Sequence, residues 1–198
     1  MRSIVEGRTG LDVRAVVSNR PDAGGLEWAA THGIEAKVVD HKGFASREAF
    51  DAELARVIDS YTPELLVLAG FMRILTDGFI AHYPRRIVNI HPSLLPSFPG
   101  LQTHARALEA GVKVHGATVH VVTPALDSGP IIIQGVVPVM PGDDEDRLAA
   151  RVLDVEHRIY PQAVRWFVEG RIAFEGDVVE VRDSGVSSDY LISPRNHP

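Results

Sequence analysis

Residues 86–100 read RIVNIHPSLLPSFPG, and this stretch decides how the rest of the chain is read. Ile87, Val88 and Ile90 form the short apolar run of a buried strand. Side chains alternate along a strand, so Asn89 and His91 leave one face together while Ile90 leaves the other. Pro92 then ends the ladder, because it has no N–H to donate and holds His91 extended. Asn89 and His91 are therefore expected at the carboxyl end of a strand, where open α/β sheets place their ligand crevice. Taken alone, an Asn-x-His pair is satisfied by loop backbone more often than by a ligand.

Upstream, Ile4 and Val5 followed by Gly7 and Gly10 predict the end of a helix and its exit turn. Val13–Ser18 predicts a strand, Leu26–His32 a helix closed by Gly33, and Glu35–Val39 another strand. Ser46 is a good N-cap for a helix running to Ser60, with Phe50, Leu54, Val57 and Ile58 along one face. Glu64–Gly70 (ELLVLAG) is continuously apolar, which predicts a central strand covered on both faces. A helix over about Thr76–Tyr83 follows. Strands separated by helices of this length point to βαβ units and a mostly parallel sheet.

Downstream, a helix is expected over about Thr103–Glu109, ended by Gly111. Val114–Val122 and Ile131–Val139 are strands too close in sequence for a crossover helix, so antiparallel or oblique pairing is expected. Asp143, Asp144 and Asp146 suit the positive end of a long helix that reaches about Val168 and is kinked by Pro161. Ile172–Val181 predicts a small edge hairpin. The organisation expected is one domain over residues 1–182, with a loose polar tail over 183–198.

The 198 residues suit one core of ordinary size. A formal net charge of -6 argues against a nucleic-acid partner, for which a basic patch is expected. Cysteine is absent, which excludes disulfides, thiolate metal sites and a cysteine nucleophile. No stretch approaches the ~20 apolar residues of a membrane span, and the opening residues lack the apolar core of a secretory signal. A cytoplasmic protein, monomeric or homodimeric and without a membrane partner, is expected.

The side chains that can carry chemistry are Asn89, His91, His115, His120 and Asp127. Three His and an Asp are acceptable zinc ligands, but their spacing fits no standard metal signature, so no metal is expected. His115 precedes Gly116 at a strand start and reads as an exposed or capping residue. His120 shares a strand face with Thr118 and Val122 and reads as a core histidine with a hydrogen-bond partner. Asp127 lies in the turn Leu126-Asp127-Ser128-Gly129-Pro130, where an Asp can simply bond its own backbone.

HPSLLPSFPG resembles the signature loop of the folate-dependent formyltransferases. The resemblance continues through GLQTHARALEAG, VHGATVHVVTPALDSGPIIIQ and DRLAARVLDVEHRIYPQAVRWF, covering about Val13 to Ile172. Pro92–Pro96 and above all Glu156–Pro161 look like the branch that formylates phosphoribosylglycinamide. The resemblance implies a Rossmann-like α/β fold and 10-formyltetrahydrofolate as co-substrate. It also makes Asn89, His91 and Asp127 the catalytic group. By the same resemblance Met72, Arg73, Ile74 and Leu75 contact the pterin, with Val122 to Asp127 across the cleft and Asn89 nearby. Arg47 is implied on the folate side and Glu156 at the sugar hydroxyls of the nucleotide. Arg47 also reads as a solvated helix residue, and Glu156 as an exposed partner of Arg151 or Arg158.

The residue types suit the implied reaction. An amine attacks a formyl carbon, and the charge developing on the formyl oxygen calls for donors such as Asn89 and a protonated His91. A carboxylate beside His91 favours the imidazolium, and Asp127 can hold a water that relays a proton. Members of the family begin with an apolar strand and a phosphate-binding loop. Here the first strand visible is Val13–Ser18, which matches the family's second. Two alternatives are a formyltetrahydrofolate deformylase, using water in place of the amine, and a folate-binding remnant without transfer activity.

Overall fold

The computed structural model describes residues 2–6 and 11–185. The first half comprises α1 (Arg2–Glu6), β1 (Ala15–Ser18), α2 (Gly24–Thr31), β2 (Glu35–Val38), α3 (Arg47–Asp59), β3 (Leu66–Val67) and α4 (Asp77–His82). The second comprises β4 (Ile87–His91), α5 (Thr103–Glu109), β5 (Val114–Val121), β6 (Ile131–Pro138), α6 (Glu145–Val168), β7 (Ile172–Glu175) and β8 (Val178–Val181).

α3, α4 and α6 begin where polar caps satisfy their first N–H groups. Ser46 Oγ accepts from Ala49 N at 3.1 Å, Thr76 Oγ1 from Phe79 N at 3.3 Å and Asp144 Oδ1 from Arg147 N at 2.8 Å. Asp143, expected at the helix start, instead receives both arms of Arg151, at 2.7 and 2.9 Å. That pairing holds its carboxyl down to about 2. Arg151 is thus engaged by Asp143 and not by Glu156. α6 runs through Pro161 as one helix.

The early strands pair in parallel, β1 with β2 and β3 with β4. From β4 onward the pairing turns antiparallel, β4 with β5 and β5 with β6, and β7–β8 forms the expected hairpin. The order is β3-β4-β5-β6 in one sheet, with β1-β2 and β7-β8 separate. Residues 64–70 depart from expectation. Only Leu66–Val67 is strand, half-buried, and it stands at the edge of its sheet. Its apolar run suits a covered central strand, but among the described residues it pairs only with β4.

One core cluster centres on β5, β6 and α6, with Val119, Val121, Leu148, Val152 and Val164 at its heart and Ile4 of α1 packed in. A second joins α3, α4 and the start of β4 through Phe50, Leu54, Phe79, Tyr83 and Ile87. β4 touches both, through Ile87 on one side and Val88 and Ile90 on the other. The exit turn expected at Gly7 and Gly10, and residues 186–198 of the expected tail, lie outside the described residues. Among the described residues no helix is long and apolar enough to cross a membrane.

Candidate active site

β4 and β5 build the site by register. Asn89 is paired with His120 and His91 with Thr118, so all four side chains share one face across two antiparallel strands. Asn89 Nδ2 lies 3.4 Å from His120 Nε2, and His120 Nδ1 lies 3.1 Å from the Val121 carbonyl. A carbonyl only accepts, so Nδ1 of His120 carries its proton and Nε2 offers a lone pair. Burial pushes the His120 pKa down, although the Val121 carbonyl and Asp127 oppose this. The Asn89 amide is thereby turned with its NH₂ group toward His120.

His91 is the last residue of β4 and is buried. Its Nε2 is 3.0 Å from the Phe98 carbonyl and its Nδ1 is 3.4 Å from Asp127 Oδ2. Nε2 is spent on the loop backbone, so Nδ1 is the edge left to face a substrate. The loop that follows is fixed by a buried network. Thr118 Oγ1 donates to the Ser93 carbonyl at 2.7 Å and accepts from Leu95 N at 3.0 Å. Gln134 Nε2 donates to Thr118 Oγ1 and to the Leu95 carbonyl, each at 2.9 Å. With Ser93 Oγ donating to the Ser97 carbonyl at 2.6 Å, the turn after His91 is tied down on every side.

Asp127 arrives from the other direction. Val122 N donates to the Ile87 carbonyl, so β5 ends beside the start of β4. The chain then folds back and returns at Pro130, whose carbonyl accepts from Val121 N. Gly129 permits this closure, because a Cβ there would lie 1.8 Å from the Val121 carbonyl oxygen. At the turn of the loop Asp127 adopts φ +47°, and its Oδ2 accepts from Gly100 N at 2.9 Å. Its Oδ1 stands 3.8 Å from His120 Nε2. Asp127 is therefore bonded to a distant loop and not to its own turn.

Asn89, His91 and Asp127 are thus brought together. Met72–Leu75 leaves the carboxyl side of β3, which runs parallel to β4, and so lies at the same end of the sheet. Met72 and Ile74 are exposed there, Arg73 is half-buried and Leu75 is in the core. Val122 is half-buried beside Ile87, at the opposite end of β4 from His91. Arg47 is exposed in the first turn of α3. Glu156 is half-buried on α6, and burial pushes its carboxyl pKa up. One turn later the Tyr160 hydroxyl reaches the carbonyls of Leu68, just past the end of β3, and Val88, the second residue of β4, at 2.6 and 3.1 Å.

His115 is not the exposed or capping residue its position suggested. It is 1% exposed, packed edge-on to Phe98 and His104, with ring centroids 5.8 and 5.4 Å away. Burial lowers its pKa to about 4, His104 adds to the shift, and the Pro92 carbonyl opposes it. His120, a candidate read as a core histidine with a hydrogen-bond partner, is buried and bonded, and Asn89 is one of its partners. The Thr118–Gln134 network is the site component that sequence reasoning missed, its signal being the polar Thr118 two residues from His120 on one strand face. Among the described residues no group of three or more His, Asp or Glu side chains is arranged to hold a metal.

The family described as formyl transferase matches residues 2–164. Phosphoribosylglycinamide formyltransferase of Escherichia coli K12 is 54% identical over 160 residues, covering 81% of this chain and 76% of that protein. The trifunctional purine biosynthetic protein adenosine-3 of Drosophila melanogaster is 47% identical over 167 residues, which is 84% of this chain but only 12% of that longer protein. The crystal structure of glycinamide ribonucleotide transformylase 1 from Symbiobacterium toebii superposes with a TM-score of 0.89 at 48% identity, covering 92% of this chain and 88% of that one.

Proposed function

The chain belongs to the formyl transferase family, and from that premise we propose that it transfers the formyl group of 10-formyltetrahydrofolate to the amine of 5'-phosphoribosylglycinamide. The product is formylglycinamide ribonucleotide, an intermediate of purine biosynthesis. The observation that carries this reading is the convergence of Asn89, His91 and Asp127 at the carboxyl end of β4, with His91 Nδ1 3.4 Å from the carboxylate.

Each side chain has a distinct task. The substrate amine attacks the formyl carbon, and negative charge develops on the formyl oxygen. Asn89 donates an amide N–H to that oxygen, its carboxamide oriented by His120. Protonated His91 donates from Nδ1, while its Nε2–H stays on the Phe98 carbonyl and holds the ring in place. Asp127 holds a water that accepts the amine proton and delivers it to N10 of the folate. The new C–N bond forms, the C–N10 bond breaks, and tetrahydrofolate leaves.

Met72, Arg73, Ile74 and Leu75 bind the pterin on this reading, and the segment that leaves β5 at Val122, beside the start of β4, returns to the cleft at Asp127. Arg47 serves the outer, anionic part of the folate. Glu156 receives the ribose hydroxyls, its place one turn from Tyr160 bringing it near the end of β3.

The test is to incubate the purified protein with both substrates and follow formylated nucleotide and tetrahydrofolate by mass spectrometry. Stoichiometric appearance of both supports the reading. Formate release that needs no amine identifies a deformylase instead, and folate binding with no transfer identifies a binding protein. Either outcome overturns it.

A further inference from the structure

Residues 72–75 alternate in a way that α3 explains. Met72 and Ile74 are 78% and 59% exposed, whereas Leu75 is 6% exposed and packs with Phe50, Leu54 and Phe79. The Arg73 guanidinium lies over the Phe50 ring, 5.2 Å from its centroid. Just past the segment, Thr76 N donates to Asp51 Oδ2 at 2.7 Å. Asp51 is 4% exposed, and its neighbour Phe50 is 1% exposed. Two adjacent residues of one helix thus hold the segment at two points, one by stacking and one by a short charge-assisted hydrogen bond.

We propose that Asp51, with Phe50, positions the 72–75 segment for the folate co-substrate and so sets the affinity for it. This rests on the formyl-transfer reading above. Neither residue touches the reacting atoms. The carboxylate fixes Thr76, and the stacked Arg73 fixes the phase of the alternation. Met72 and Ile74 are thereby kept facing outward, with the intervening backbone presented to a planar ring. Without the anchor the segment samples other phases, and each folate molecule bound has to select the competent one.

The experiment compares Asp51→Ala and Asp51→Asn with wild type in steady-state kinetics, varying each substrate in turn. Asp51→Ala is expected to raise KM for 10-formyltetrahydrofolate about tenfold. Its kcat and its KM for the nucleotide should stay within about twofold of wild type. Asp51→Asn keeps a neutral acceptor for Thr76 N and should recover most of the loss, to within about threefold. Hydrogen exchange at the Thr76 amide should accelerate in Asp51→Ala while amides of β4 stay protected. An unchanged folate KM in Asp51→Ala, or equal losses for both substrates, overturns the proposal. If Asp51→Ala does not fold, Asp51→Leu decides in its place: it keeps the volume but has no acceptor for Thr76 N, and an unchanged folate KM there overturns the proposal as well. Failure of the wild-type protein to transfer formyl at all overturns the underlying reading instead.

Discussion

The Asp127 carboxylate stands 3.4 Å from His91 Nδ1, while the opposite edge of the same ring is bound to the Phe98 carbonyl at 3.0 Å. The ring is thus oriented by backbone on one side and left facing a carboxylate on the other. The two side chains are 8% and 9% exposed, so they interact with little solvent between them.

His91→Ala and Asn89→Ala should each lower kcat by roughly 10²–10⁴, as expected for lost oxyanion and acid–base functions. Asp127→Asn should also lower kcat, since an amide relays protons poorly. Substrate KM values should move little, because these groups act mainly in the transition state. Near-wild-type turnover in any of the three would remove that residue from the mechanism.

His120→Phe should cost about tenfold in kcat by freeing the Asn89 amide to rotate. Combined with Asn89→Ala the loss should be far less than the product of the two, because His120 acts through Asn89. Fully multiplicative losses in a double-mutant cycle would show that His120 acts by another route.

Thr118→Val preserves shape but removes the hydroxyl that serves Ser93, Leu95 and Gln134. A buried N–H left without an acceptor costs roughly 1–3 kcal/mol, so the urea midpoint should fall accordingly. The slope of the transition should not change. An unchanged midpoint would mean that the loop finds other partners.

His115 links stability to pH. Its folded-state pKa is lowered to about 4, below the ordinary 6.5. Its contribution is therefore fully present above pH 6.5 and is lost as pH falls from about 6.5 to about 4. Within that window the slope approaches ~1.4 kcal/mol per pH unit. His104 and His120 are lowered by burial as well and act in the same direction. His115→Phe should flatten the dependence without abolishing it. Parallel curves for variant and wild type in chemical denaturation between pH 4 and 7 would refute this role.

Much of this molecule is legible in short windows of sequence. The helices over 47–59, 103–109 and 145–168 begin and end within a residue or two of where caps and periodicity place them. Ser46 and Asp144 cap from their own positions, and alternation alone sets Asn89 and His91 on one face. These are properties of neighbouring residues, and neighbouring residues are what a sequence displays.

What the sequence by itself determined is therefore the α/β element order, the family motifs and the paired Asn89 and His91 at a strand end. Tertiary structure decided the rest. It cut the apolar run at 64–70 to two strand residues, because strand length depends on the partner available. It buried His115, gave the core histidine His120 Asn89 as its partner, and brought Asp127 back to His91 through a loop that closes on Gly129. It also placed Asp51 under Thr76. Each of these depends on which segments meet across tens of residues. Such contacts follow from the packing of whole elements, and no local propensity encodes them.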